Sequence, residues 1–408
     1  MKYEFHRFMR EEYEAGSIYT IPEISDGFDV SLVAEWNGMQ PVSFWTSEVV
    51  NGTYEIHVRI RALEDTDELY LFTGRKLLKD VIVLKKDEVY ERIFYQSAAR
   101  IIPRYHTRVY KENYLFFSFC TSHPEYIKVE SCAAQRCQDA VMVYLCGDST
   151  VTDQSCEIPY HPGGCYASWG QELSAYFEGK CVVQNQAHCG LTTESFREEG
   201  HFNLILEQIT SGDFCLFQFG HNDQKLFHLC PEGAYTENLR GFIDQIREKG
   251  AIPVLITPLG RNIWKNEKEY YDLLEDYADA VKQLACQMDV HCIDLHGASI
   301  DFICQCGPKR ARDYFHPNDY THTNEYGAYL AAGYIAGSLA EQFPEVFSLR
   351  KDRPQLSPPR QVWENLERTD NRKTDQTEKE IFDRMEKSVD DLVKTIEKVR
   401  ECWKYEKC

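Results

Sequence analysis

The chain has no C-x-x-C pair, no internal repeat, no low-complexity tract and no apolar run approaching membrane-spanning length, and it is short of positive charge. Each absence excludes something. Without a run of about 20 apolar residues there is no membrane-spanning helix to expect. The opening residues, M-K-Y-E-F-H-R-F-M-R-E-E, hold acidic groups and no apolar core, so no secretory signal is expected and a cytoplasmic, soluble protein is. Only 45 Lys and Arg stand against 65 Asp and Glu, a formal charge of −20. That balance argues against a nucleic acid or an anionic membrane as partner, both being polyanions, and makes a neutral substrate the natural one. Sixteen cysteines are present, but they scatter through apolar segments, as at Cys146, Cys181, Cys215 and Cys292, which is the distribution of buried free thiols. Cys304 and Cys306, with Cys286 and Cys292 nearby, are the closest approach to a zinc-ligand cluster, and without C-x-x-C spacing the signal is weak.

What is present divides the chain in three. Up to about residue 138, short runs alternate apolar and polar residues with period two, as in Tyr54–Leu63, Leu77–Leu84 and Val89–Tyr95. Such spacing predicts an antiparallel β-sandwich. Its aromatic residues Trp36, Trp45, Phe72, Tyr95 and Tyr105 suit either sugar stacking or the core, and core is the commoner use. Residues 139–348 change texture. Candidate strands at Val141–Cys146, Cys181–Asn185, Asp213–Phe219, Ile252–Thr257 and Val290–Leu295 alternate with amphipathic stretches at Ser168–Phe177, Ser195–Ile209, Glu237–Lys249 and Lys268–Met288. Strands interleaved with helices make right-handed βαβ units. With a closing helix at Asn324–Gln342, the expectation is a flavodoxin-like α/β three-layer sandwich around a five-stranded parallel sheet. Residues 349–408 comprise a linker with Pro354, Pro358 and Pro359, then a stripe of Ile381, Met385, Val389, Leu392, Ile396 and Val399 that predicts an amphipathic helix. It could pack back on the body or pair with a second copy in a homo-oligomer.

Open α/β sheets place their chemistry where strands end. Four polar blocks fall there: Gly147-Asp148-Ser149-Thr150, Asn185-Gln186-Ala187-His188-Cys189-Gly190, Gly220-His221-Asn222-Asp223, and Asp319-Tyr320-Thr321-His322 before the closing helix. A Gly-Asp-Ser tripeptide alone is equally a turn whose side chains cap a helix. Together the blocks can do more. A serine hydroxyl needs a base to remove its proton, and an imidazole serves best when a carboxylate holds its other nitrogen. Asp319 and His322 are three residues apart, close enough for one turn to join them. Acyl transfer also creates an oxyanion, whose donors are worth roughly 3–4 kcal/mol each. The backbone N–H groups of Ser149 and Gly190 with the Asn222 side chain could supply three. His316, Asp319 and His322 could alternatively ligate a metal, a reading that leaves the other three blocks unexplained.

The ordered set GDST, an N…G block, GHND and D-x-x-H resembles the four blocks of the SGNH or GDSL hydrolase superfamily over about residues 140–342. Within it, GDST, GHNDQ and D-Y-T-H-T-N-E-Y-G-A are most similar to rhamnogalacturonan acetylesterase-like enzymes. The resemblance implies Ser149 as nucleophile, Asp319 and His322 as its triad partners, an oxyanion hole of Ser149, Gly190 and Asn222, and neither cofactor nor metal. Asp148, Thr150, His188 and His221 are the candidate substrate contacts. One departure stands out: relatives usually follow the second-block glycine with a basic residue and a serine, where this chain has Leu191, Thr192 and Thr193. The expected activity is removal of acetyl groups from plant cell-wall oligosaccharides, pectic ones above all. A lipid esterase or thioesterase of the same superfamily, and a non-catalytic sugar-binding protein on the same scaffold, are the alternatives.

Overall fold

The computed structural model describes residues 6–7, 39–46, 48–103, 106–154, 160–317, 319–358 and 374–405. Trp36, Tyr105 and Pro359 lie outside them, as do the side chains of Ile381 and Met385.

The N-terminal part folds as two facing antiparallel sheets. One carries strands β2 (Gly52–Ala62), β5 (Val89–Ala98) and β7 (Ile127–Cys137), with the two residues His6–Arg7 on the edge of β7; the other carries β1 (Gln40–Trp45), β3 (Leu69–Thr73), β4 (Leu77–Ile82) and β6 (Phe116–Thr121). Alternation sets the packing: Tyr54, Ile56, Val58, Ile60 and Ala62 of β2 point inward and meet Leu69, Leu71, Phe117 and Phe119 from the opposite sheet. Strand β3, however, is buried on both faces. Its Tyr70 and Phe72 join Leu78 and Cys120 in a second core shared with the α/β region. That sheet is therefore sandwiched between two cores, which explains why β3 reads as a nearly continuous apolar run, L-Y-L-F-T.

The five-stranded parallel sheet runs β8 (Val141–Gly147), β9 (Cys181–Asn185), β10 (Phe214–Gln218), β11 (Ile252–Ile256) and β12 (His291–Ile293), in spatial order β9-β8-β10-β11-β12. Strand β8 is thus the inner strand beside which the order reverses, the place where such folds open a crevice. Helices cover both faces, α4 (Thr236–Glu248), α5 (Glu275–Met288) and α7 (Glu325–Gln342) among them.

Several expected helices differ in detail. Ser168–Phe177 is a single α-turn, α1 (Trp169–Glu172), continued as a 3-10 turn. Ser195–Ile209 splits into α2 (Thr193–Glu198) and α3 (His201–Leu206) because Gly200 takes the left-handed φ of 88°. Lys268–Met288 begins as a hairpin, Trp264–Asn266 with Glu269–Tyr270, and turns helical only at Glu275. An unforeseen helix, α6 (Leu295–Ala311), starts at Asp294, whose carboxylate accepts from Gly297 N.

The C-terminal helix α8 (Thr374–Tyr405) folds back on the body. Ile396 is buried against Ile263 and Leu273, with Val389, Leu392, Val393 and Tyr320 around them. Arg400 pairs with Asp276 at 2.9 Å, and Trp403 Nε1 donates to Phe227 O at 3.0 Å. No described helix is long and apolar enough to cross a membrane, and all described cysteines are free thiols.

Candidate active site

Strand β8 ends at Gly147 because nothing larger fits: a Cβ there would stand 2.6 Å from Gln218 O and 2.4 Å from Val151 Cγ2. The chain turns sharply and presents Ser149. Four hydrogen bonds fix the turn. Asp148 Oδ1 accepts from Thr150 N at 2.9 Å and Thr150 Oγ1 at 2.8 Å, while Ser149 O accepts from Ser168 Oγ at 2.7 Å and Gln154 Nε2 at 2.6 Å.

From the other side the loop before α7 delivers an imidazole. His322 Nε2 lies 2.7 Å from Ser149 Oγ, and His322 Nδ1 lies 2.7 Å from Asp319 Oδ2. Asp319 Oδ1 accepts from Thr321 N at 2.6 Å and His322 N at 3.0 Å, so the carboxylate builds the loop it serves. Burial works against ionising Asp319, but the His322 imidazole and these two backbone donors outweigh it and hold its pKa far below the usual carboxylate range. For His322, burial again opposes the charge and Asp319 overrides it, leaving the imidazole more basic than usual. Tyr166 stacks on His316 with centroids 3.6 Å apart and meets His322 edge-on at 5.8 Å. Both His322 nitrogens are engaged, by Ser149 and Asp319, and among the described residues no group of three His, Cys, Asp or Glu side chains is arranged to hold a metal ion.

The remaining two blocks are tied together. Gly190 sits in the turn after β9 at φ 83°, which glycine adopts without penalty. Asn222 follows β10, and its Nδ2 donates to Leu191 O at 3.1 Å. An amide nitrogen carries two hydrogens, so one remains. Asp223, wholly buried, accepts from Thr193 N at 2.8 Å, Thr193 Oγ1 at 2.7 Å and Gly220 N at 3.1 Å. Burial raises its pKa to about 7 in spite of those donors. Leu191 and Thr193, the residues that depart from the family pattern, are thus what join the second and third blocks.

The expected substrate contacts lie deeper than the nucleophile, which is itself 8% exposed. Asp148, Thr150 and His221 lie beneath the site, 0%, 2% and 2% exposed. Thr150 Oγ1 is occupied by Asp148 and by Gln218 Nε2, and His221 Nε2 lies 2.9 Å from Leu259 O with Nδ1 3.4 Å from Asp148. Burial alone would raise the Asp148 pKa; His221 and the Thr150 donors hold it below its usual value. These three support the nucleophile turn. His188 is buried in the wall, its Nδ1 accepting from Cys189 N at 2.9 Å.

Sequence reasoning missed Ser168 and Gln154, which hold the Ser149 carbonyl, Tyr166, which packs on His322, and Arg261, whose Nε donates to Thr321 Oγ1 in the loop that carries His322. Arg261 had a signal: it follows β11, and the loop after the fourth strand is as much a strand end as the others. Gln218, a polar residue closing an apolar strand, had one too.

A parallel sheet in the order β9-β8-β10-β11-β12 with a Ser-His-Asp chain assembled from its loops gives an α/β fold with a hydrolase-like site, and comparison with known proteins agrees in class. The chain belongs to the GDSL-like Lipase/Acylhydrolase family, which matches residues 145–327, and with it to the carboxylic ester hydrolases. It is 37% identical over 214 residues to rhamnogalacturonan acetylesterase RhgT of Bacillus subtilis strain 168, covering 49% of this chain and 90% of the relative. To the probable rhamnogalacturonan acetylesterase YesY of the same organism it is 35% identical over 220 residues, covering 52% and 98%. Among solved structures, that of Bacillus subtilis YxiM aligns at 25% identity with a TM-score of 0.48, covering 75% of this chain and 82% of that one.

Proposed function

We propose that this protein is a serine acetylesterase that removes acetyl groups from pectic, rhamnogalacturonan-derived oligosaccharides through an acyl-enzyme. The observation that carries the reading is the unbroken chain Asp319–His322–Ser149, with 2.7 Å at each link. The substrate class rests on the activities named for the two Bacillus relatives.

In this mechanism Ser149 Oγ attacks the acetyl carbonyl while His322 Nε2 takes its proton. Asp319 holds the imidazole in the required tautomer and stabilises the imidazolium. The oxyanion is met by the backbone N–H groups of Ser149 and Gly190 and by the second hydrogen of Asn222 Nδ2. Collapse breaks the ester bond, and His322 returns its proton to the departing sugar hydroxyl. A water, deprotonated in turn by His322, attacks the acetyl-Ser149 carbonyl; acetate leaves and Ser149 is regenerated. We also assign three units, the sandwich at 1–138, the catalytic unit at 139–348 and the linker with α8 at 349–408, and a cytoplasmic location acting on imported oligosaccharides. Val389, Leu392, Val393 and Ile396 of α8 pack against Ile263 and Leu273 of the same chain.

Acetate release from acetylated rhamnogalacturonan oligosaccharides tests the proposal, alongside rates on p-nitrophenyl acetate, butyrate and octanoate. Acetate as the fastest acyl group, with turnover of the sugar ester, is the expected result. Faster turnover of octanoate would favour a lipid esterase, and no turnover of any ester would leave a sugar-binding scaffold.

A further inference from the structure

Several cations that reach into this protein are matched by carboxylates, Arg75 by Glu112 and Asp153, Lys76 by Glu325, Arg350 by Asp80, whereas buried Lys79 donates to Tyr95 O and Ser174 Oγ. Lys225 also lacks a carboxylate partner. It ends the short turn Asp223–Lys225 directly after Asn222, and its Nζ donates to Asn222 Oδ1 at 2.8 Å. Among the described residues no carboxylate lies within 4.0 Å of that nitrogen. Helix α8 packs alongside the same turn and carries Asp390 and Asp391, yet neither pairs with it. An ammonium has three donors, and one is used.

The position is unusual for an unmatched charge. In the proposed mechanism Asn222 offers the second hydrogen of Nδ2 to the oxyanion, and its Oδ1 accepts from Lys225 Nζ, which puts the ammonium on the other side of the same amide. The Lys225 residue is exposed, with its Nζ turned to Asn222; burial of the ammonium and then Arg261 lower its pKa, against the opposing pull of Asp148 and Asp319. Arg261 stands behind, 2% exposed, with Nε donating to Thr321 Oγ1 at 3.0 Å and Nη2 to His221 O at 3.3 Å. Its Nη1 has no hydrogen-bond partner. Arg261 thereby touches both the loop that carries Asn222 and the loop that carries His322.

We propose that Lys225 is a specificity-determining residue that binds an anionic substituent of the substrate, the carboxylate of an acidic sugar next to the acetylated position, with Arg261 strengthening the local positive potential. The inference rests on the acetylesterase reading of Ser149. A chain of net charge −20 repels an acidic oligosaccharide at long range. Local cations beside the nucleophile supply the attraction that the rest of the surface denies. The remaining two ammonium hydrogens give a carboxylate two charge-assisted hydrogen bonds without disturbing the one to Asn222.

The test compares an acetylated uronic-acid oligosaccharide with its methyl ester, which carries the same acetyl groups and no charge. Wild type should show the higher kcat/KM on the free acid, with a preference that shrinks as salt is added. Lys225→Met should lower kcat/KM on both substrates, since Asn222 loses a partner. On the free acid it should fall by about 10–100-fold more, chiefly through KM, the worth of a hydrogen bond to a charged group. Lys225→Arg should restore part of that difference. Equal losses on the two substrates would overturn the proposal and leave Lys225 as a support for Asn222. No loss on either, or a wild-type preference for the methyl ester, would overturn it as well. Wild type inert towards every acetyl ester would sink the acetylesterase reading, and this inference with it.

Discussion

Replacing Lys76 with methionine measures how firmly the β-sandwich is locked to the catalytic unit. Lys76 sits in the turn between β3 and β4, at φ 56° and with no exposed surface, and its side chain leaves the sandwich altogether. Its Nζ donates to Tyr166 O at 2.7 Å and stands 3.5 Å from Glu325 Oε1, at the first turn of α7. Glu325 Oε2 in turn accepts from Gly163 N at 2.9 Å. Tyr166 is the ring that packs on His316 and His322, so one cation from the sandwich braces the base of the candidate active site. Methionine keeps the apolar stem and removes the charge. Breaking one side of a buried pair costs about 3–5 kcal/mol, because the partner is left uncompensated. Burial already raises the Glu325 pKa despite Lys76; the deficit should therefore narrow at acid pH, where Glu325 takes up a proton. At neutral pH the melting temperature should fall by on the order of 10 °C. Calorimetry of the single variant, of Glu325→Gln and of the double variant gives the assay, and the double should recover more than half of the loss. A drop below about 1 kcal/mol for Lys76→Met, or strictly additive losses in the double, would refute the reasoning.

Three other outcomes are expected. The base must be neutral to work, and Asp319 holds the His322 pKa above its ordinary 6.5; kcat/KM should rise with pH through a midpoint above 6.5, and Asp319→Asn should move that midpoint down while costing roughly 10⁴-fold in rate. Asn222→Ala leaves the nucleophile chain intact and removes one oxyanion donor, so kcat should fall about 10²–10³-fold with KM little changed; a loss carried by KM would contradict the assigned role. Ile396→Asp places a charge in the pocket formed by Ile263 and Leu273 and should detach α8, seen as faster amide exchange across residues 386–403; protection equal to wild type would show that the pocket does not hold the helix.

Much of the architecture was legible because the signals are local. Apolar runs from Val141 to Cys146 and from Phe214 to Phe217 mark inner strands, and period-two alternation in β2 marks a strand with one buried face. Helix limits were legible less often, since they depend on tertiary detail: Gly200 breaks a continuous amphipathic pattern, and Asp272 Oδ1 accepting from Leu274 N precedes α5 where the sequence reads as helix from Lys268. In the site, the four blocks were visible because each holds residue types with few other uses. Roles within a block were not. Asp148, Thr150 and His221 look like ligand contacts in sequence, and only burial shows them facing inward. The Lys76 brace was invisible, because no local pattern says that a turn of one unit will plug into another.

The most direct test of the central claim is rapid mixing with p-nitrophenyl acetate, acid quench, and mass spectrometry of the digested protein. The account predicts an acetyl adduct on the peptide carrying Ser149, absent in Ser149→Ala, trapped longer when Asp319 is replaced, and formed at the same rate after exhaustive chelation. Turnover without a Ser149 adduct, or an adduct that forms only when zinc is restored, would contradict it.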